Sequence, residues 1–297
     1  MSKYLNHFKY GFLIIVIVLI ILFAVKFVNY GDKGYAITDG LVTYSMERDI
    51  PLYSVEEIEE TDIFTVSKII FKNDKDKIYG QLWLPLDSED VPAILFFPAA
   101  GGTKENEKYL AEKMVAEGYA FFAIDQRGIG ETSGKINSID ADLDLMDAGE
   151  EPIGHKMIYD GLLAFDVLRN HKNIDKNKIV VAGSSMGGRT AMIIGALDDR
   201  VKGVLIFSSA GLNMPSNLIF SHYFYTIDPD NYVNKITSEL VMFHSEKDSV
   251  IPYSYAEKTF GLANEPKQLI KMPEPCDHGY CEEIDEELYE VLENIFI

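Results

Sequence analysis

The chain has 297 residues, 47% hydrophobic and 25% charged, which is enough apolar material for one large domain or two modest ones. Its formal net charge of −20 excludes nucleic acid as a natural partner, because phosphates need basic surfaces. Two cysteines among 297 residues exclude a disulfide-rich scaffold.

The N-terminus departs from globular composition. Residues 1–10 carry Lys3 and Lys9, and the uncharged run "GFLIIVIVLIILFAV" follows. With Phe27 and Val28 beyond Lys26, residues 11–28 reach the length a helix needs to cross a bilayer. The preceding lysines favour a cytoplasmic N-terminus and an extracytoplasmic remainder. The reading is a single-pass signal-anchor in the cell membrane. A cleaved signal peptide and a secreted product form the alternative, with Gly34-Tyr35-Ala36 as a distant small-x-small site. Residues 29–60 read as an acidic stalk, and residues 61–297 as the folded domain.

Within 61–297, strand-like and helix-like segments alternate. Residues 64–71 and 78–85 predict an antiparallel pair across the turn-rich "KNDKDK". Short apolar runs at 92–98, 119–125, 178–183, 201–210, 239–245 and 267–273 predict further strands. Helical spacing occupies 106–118, 155–170, 189–199, 254–263 and 282–296. The expectation is an α/β domain with a mostly parallel sheet of about eight strands and helices on both faces. Sites in such sheets lie at the carboxyl ends of strands.

Chemistry concentrates at "KIVVAGSSMGG". Gly183-Ser184-Ser185-Met186-Gly187 fits G-x-S-x-G directly between a strand and a helix. That turn is tight, so small flanking residues are needed, and the helix N-terminus favours developing negative charge at Ser185. A serine needs a base, and the base an orienting acid. Asp248 follows the strand "ELVMFHS", with Glu246 as a rival acid, and His278 is the only histidine downstream. His244 lies inside a strand and reads as a packed residue. The catalytic residues are therefore read as Ser185, Asp248 and His278.

Four blocks of residues 64–297 carry a resemblance to the α/β-hydrolase superfamily. They are "GSSMGG" (nucleophile elbow), "HSEKDSVIP" (acid loop), "DHG" (histidine loop) and "DQRGIGETSG" at 125–134. The chain is similar to the serine esterase, dienelactone-hydrolase-like and prolyl-oligopeptidase-like groups. The resemblance implies an oxyanion hole made by two backbone N–H groups, those of Met186 and Ala100, with Ala99 as the alternative second donor. Many relatives begin this loop with His-Gly, where this chain has Pro98-Ala99.

Other features have plainer readings. The acidic stretch 138–151 has calcium-loop spacing at Asp140, Asp142 and Asp144 but lacks the sixth-place glycine, so it reads as a solvated loop leading into a helix. Residues 211–236 read as an insertion, either a small cap lining an acyl or aromatic pocket or a packed loop. Arg127 reads as a structural anchor. Cys276 and Cys281 flank His278; with the histidine required by the triad, a zinc site gives way to a disulfide bracing the catalytic loop.

Together these features predict a membrane-anchored serine hydrolase acting on a small-molecule ester or acyl substrate, with no cofactor and no metal. A peptidase or an acyltransferase on the same triad is the nearest alternative. A non-catalytic binding ectodomain with the same fold is the more distant one.

Overall fold

The computed structural model describes residues 33–215 and 221–297. The span expected at 11–28 lies outside the described residues. Among those described, no helix is long and apolar enough to cross a membrane.

A hairpin of β1 (Ala36–Thr38) and β2 (Leu41–Thr43) precedes a nine-stranded sheet. In chain order its strands are β3 (Tyr53–Glu60), β4 (Phe64–Asn73), β5 (Asp76–Pro85), β6 (Val91–Phe97), β7 (Ala120–Ile124), β8 (Ile174–Ser184), β9 (Gly203–Phe207), β10 (Glu239–Ser245) and β11 (Lys267–Met272). Their spatial order is β11-β10-β9-β8-β6-β7-β5-β4-β3. The six strands from β11 to β7 run parallel, whereas β5, β4 and β3 add antiparallel neighbours at one edge. From β6 the chain steps one way to β7 and later returns on the other side as β8. That reversal opens a crevice at the carboxyl ends of β6 and β8, the usual ligand position in open α/β sheets.

The helices are α1 (Lys108–Ala116), α2 (Ile139–Asp147), α3 (Ile153–Arg169), α4 (Met186–Leu197), α5 (Ser221–Ile227), α6 (Tyr253–Leu262) and α7 (Asp285–Phe296). Side chains alternate across the sheet. Ala93, Leu95 and Phe97 of β6 face a core shared with Leu162 and Phe165 of α3 and Ile193 of α4. Ile94 and Phe96 face the opposite core, shared with Leu110 and Met114 of α1 and Leu292 of α7. Central strands are thus buried on both sides, which explains their unbroken apolar runs. Helix α7 buries Leu288, Val291, Leu292, Ile295 and Phe296, a one-face stripe at helical spacing. Full burial of such side chains contributes about 1.5–3 kcal/mol each before entropy is counted.

Three expectations need correction. The sheet has nine strands rather than about eight. Residues 33–60 are not a stalk. Leu41, Val42 and Tyr44 join the main core, and β3 pairs with β4 along its length. The Arg48 side chain is 1% exposed and binds Asp166 through Nε at 2.7 Å and Nη2 at 3.2 Å, and Asp198 through Nη2 at 2.5 Å. A buried guanidinium held by two buried carboxylates makes this segment part of the folded domain.

Residues 139–147 form a helix rather than a solvated loop, with the Ser138 hydroxyl accepting from the Ala141 amide. Asp142 turns inward. It accepts from the Ile153 and Gly154 amides at 3.0 and 3.1 Å, from Asn137 at 3.0 Å and from the Tyr223 hydroxyl at 2.6 Å. Its charge caps the N-terminus of α3, where the helix dipole favours it.

Candidate active site

Ser185 occupies the single residue between β8 and α4. Its backbone sits at φ 51°, ψ −115°, a strained conformation for a residue with a side chain. Neighbouring glycines make the turn possible. A Cβ on Gly187 would fall 1.9 Å from the Phe97 carbonyl oxygen, and one on Gly183 would fall 2.5 Å from the Gly187 carbonyl carbon. The Ser185 amide donates to the Phe207 carbonyl at 3.0 Å, and its own carbonyl accepts from the Ser209 hydroxyl at 2.6 Å. The Ser185 side chain makes no capping hydrogen bond to the helix, so its hydroxyl is not committed there.

Asp248 follows β10, and its side chain is fully buried. Its Oδ1 accepts from the Val250 and Ile251 amides, both at 2.8 Å. His278 Nδ1 lies 2.8 Å from Oδ2 and 2.9 Å from Oδ1. A carboxylate only accepts, so Nδ1 carries the proton and Nε2 is left as the free basic nitrogen. Burial works to raise the Asp248 pKa, but the Ile251 amide, His278 and the Val250 amide outweigh it and hold the carboxyl below its ordinary range. The side chain of His278 is 20% exposed.

Two further contacts tie the acid loop to the histidine loop. Ser245 donates its hydroxyl to the Cys276 carbonyl at 2.7 Å, and Ser249 donates its amide and hydroxyl to Asp277 at 2.7 and 3.0 Å. Cys276 and Cys281 are joined by a disulfide with Cα atoms 5.7 Å apart. With Glu283 they come within reach of a common ion, but bonded cysteines offer no thiolate to bind one. His244 is fully buried in β10. Its Nε2 donates to the Ile251 carbonyl at 2.9 Å and lies 3.4 Å from Asp248 Oδ2, which steadies the acid loop from behind. Burial pushes the His244 pKa down, so the ring is neutral. Glu246 is exposed and pairs with Lys271 at 2.7 Å, away from His278.

The proposed oxyanion donors lie on facing elements. Met186 is the first residue of α4, where backbone amides have no partner within the helix. In the loop after β6, the Ala99 carbonyl accepts from the Gly102 amide at 2.9 Å, which fixes the Ala99–Ala100 peptide plane. The Ala100 amide points the opposite way and donates to no group among the described residues. Arg127 is structural, gripping Asp160 through Nε and Nη2 at 2.6 and 2.9 Å and Asp76 through Nη1 at 2.5 Å.

A cavity of about 260 Å³ opens beside Met186. Its walls are mostly apolar, with Ile136, Ile153, Met157, Ile193, Phe224 and Ile227 among them. Phe224 and Ile227 belong to α5, so part of the 211–236 insertion forms a pocket wall. Arg189, four residues beyond Ser185, also reaches this cavity and donates Nε to the Ala210 carbonyl at 3.0 Å. Sequence reading missed this arginine, the Asp277–Ser249 brace and the buried role of Asp142. Each depends on partners supplied by other loops or helices, which leave no local pattern.

The doubly covered parallel sheet, with its strained serine turn at the reversal of strand order, defines an α/β-hydrolase. The chain belongs to the dienelactone hydrolase family, whose profile matches residues 78–291. Among curated relatives, the putative hydrolase YtaP of Bacillus subtilis (strain 168) is 31% identical over 162 residues, covering 50% of this chain and 53% of that protein. The chain spans about half the length of the curated relatives it matches. Solved structures of other proteins share the fold. An acetyl xylan esterase from Paenibacillus sp. R4 has 16% identity and a TM-score of 0.70, covering 84% of this chain and 90% of its own. Ferulic-acid-bound Est1E from Butyrivibrio proteoclasticus has 19% identity and a TM-score of 0.59, covering 76% and 96%.

Proposed function

We propose that the protein is a serine esterase anchored in the membrane through residues 11–28, with its catalytic domain outside the cytoplasm. The observation that carries the catalytic part is the His278–Asp248 pair, its Nδ1 held by a buried carboxylate and its Nε2 free. In this reading Nε2 takes the proton as the Ser185 hydroxyl attacks the ester carbonyl. The Met186 and Ala100 amides receive the oxyanion. Collapse of the tetrahedral intermediate expels the alcohol, which takes the proton back from His278. Water then attacks the acyl-enzyme by the same sequence and releases the acid. The apolar run at 11–28 supports the anchor, and the Cys276–Cys281 disulfide fits an oxidising compartment.

The cavity supports a substrate class. An apolar cavity of about 150 Å³ takes up a benzene molecule. The 260 Å³ here suits an aryl group or a medium-length alkyl group. The ferulic acid bound by one structural neighbour is an aromatic acid of that kind. A panel of p-nitrophenyl esters from acetate to laurate, together with methyl ferulate, tests this. The reading expects kcat/KM to peak at butyrate to octanoate or at the aryl ester. A maximum at acetate, or faster cleavage of matched anilides, would contradict it.

A further inference from the structure

Two consecutive residues at the end of β7, Asp125 and Gln126, hold both ends of the loop that follows β6. Gln126 is 5% exposed, and its Nε2 donates to the Pro98 carbonyl at 2.7 Å. A carbonyl only accepts, so the NH2 end of the amide faces Pro98 whatever the density of neighbouring groups. The other end, Oε1, is buried with no hydrogen-bond partner among the described residues. Leaving a buried acceptor unpaired is unfavourable. The fold tolerates that penalty to place one donor on one carbonyl.

Asp125 secures the far end of the same loop. Its Oδ1 accepts from the Lys104 amide and its Oδ2 from the Lys104 ammonium, both at 2.8 Å, and both residues are 1% exposed. Oδ2 also accepts from the Glu131 amide at 2.9 Å. The loop from Pro98 to Lys104 is therefore gripped at its first and last residues, with the Ala99–Gly102 turn between them.

The Pro98 grip has a directional consequence. The carbonyl of Pro98 and the amide of Ala99 lie in one rigid plane and point in opposite directions. Fixing the first fixes the second, and with it the start of the turn that presents the Ala100 amide. The Pro98 carbonyl also abuts the serine turn, since a Cβ on Gly187 would fall 2.5 Å from its oxygen. One side chain thus sets the oxyanion loop against the first turn of α4, which carries the Met186 amide.

We propose that Gln126 is a positioning residue for the oxyanion hole, acting on the transition state through the Pro98–Ala99 peptide and making no contact with substrate. This rests on the serine-esterase reading above. Oxyanion contacts strengthen only as charge develops, so their misalignment lowers kcat and leaves substrate binding almost unchanged.

The test compares Gln126→Met and Gln126→Glu with the wild-type protein. At pH 8 both variants are expected to lose about 10- to 100-fold in kcat, with KM within about 3-fold, as for a displaced oxyanion donor. Binding of a trifluoromethyl ketone, which forms an oxyanion on Ser185, is expected to weaken in parallel. Gln126→Glu carries a second signature. As the pH falls its carboxyl gains a proton and can donate to Pro98 again, so its kcat relative to wild type rises, whereas that of Gln126→Met stays flat. A purely structural role would not produce that difference. If Gln126→Met does not fold, the near-isosteric glutamate decides alone through its pH-dependent ratio. The proposal is overturned if kcat of the folded variants stays within 2-fold of wild type, or if the loss falls on KM, or if the glutamate-to-wild-type ratio is independent of pH. Wild-type protein that a fluorophosphonate fails to label at Ser185 would instead remove the esterase reading itself. Normal labelling with unaffected Gln126 variants would remove only this proposal.

Discussion

Replacing Asp248 by asparagine is nearly isosteric, yet the structure dictates that it inverts the histidine. Two backbone amides converge on Oδ1 at 2.8 Å each, so the amide oxygen of an asparagine must occupy that place. Its NH2 group is then forced into the position of Oδ2, 2.8 Å from His278 Nδ1. A donor there opposes the Nδ1 proton, and the asparagine oxygen in the place of Oδ1, 2.9 Å from Nδ1, is already taken by two amides, so the balance shifts to the tautomer with the proton on Nε2. Nε2, the nitrogen proposed to serve Ser185, is then protonated and cannot act as base. The Nε2–H of His244, 3.4 Å from Oδ2, opposes an NH2 group in the same place. A wrong tautomer in an otherwise intact triad lowers kcat by about 10⁴-fold, equivalent to about 5 kcal/mol of transition-state stabilisation. Steady-state hydrolysis of p-nitrophenyl butyrate measures kcat and KM, and thermal unfolding confirms the fold. A folded Asp248→Asn variant within 10-fold of wild-type kcat would refute the inference that Asp248 sets the state of His278.

Other expectations follow from the surrounding structure. Arg48→Met leaves Asp166 and Asp198 with only the partly exposed Arg200, and is expected to destabilise the domain by about 3 kcal/mol, a fall in Tm of roughly 6–12 °C. An unchanged Tm would show that residues 33–60 do not belong to the cooperative unit. Replacing both Cys276 and Cys281 with serine opens a short ring, for which loop entropy gives a loss of about 2 kcal/mol, read by urea unfolding. Alkylation with mass spectrometry should modify neither cysteine of the wild-type protein before reduction. His155 supplies a pH dependence. Thr226 commits its hydroxyl proton to the Tyr223 carbonyl, so His155 Nε2 donates to Thr226 and Nδ1 accepts from Tyr35. Burial lowers the His155 pKa from 6.5 to about 4. The unfolded chain binds the extra proton first, so the contribution is complete above pH 6.5 and is lost as pH falls towards 4. Between pH 7 and 5 this amounts to about 2 kcal/mol. His155→Gln is expected to flatten that part of the stability profile, and an equally steep profile would contradict the assignment.

The parts of this protein that sequence reveals are those whose causes are local. The strands from β6 to β10 are apolar on both faces because helices cover both, and that leaves unbroken runs such as "AILFF". The serine turn is legible because Gly183 and Gly187 answer a steric demand within five residues. Asp248 and His278 could be placed by order along the chain and by strand ends. What stayed hidden depends on distance. Arg48 finds its partners 118 and 150 residues away, so the segment around it reads as a linker until the fold closes. Asp142 resembles a solvated acid because its four donors come from Asn137, the start of α3 and Tyr223. The three-residue strands β1 and β2 are too short to show a period, and β3 at the sheet edge carries mostly exposed, acidic residues.

We propose above all that Ser185 is a nucleophile activated by His278 and Asp248. Treating the full-length protein with a fluorophosphonate and mapping the adduct by peptide mass spectrometry tests it most directly. The structure predicts a single adduct on Ser185, lost in Ser185→Ala and strongly slowed in Asp248→Asn. An adduct on Ser184, or no adduct on folded wild-type protein, would contradict it.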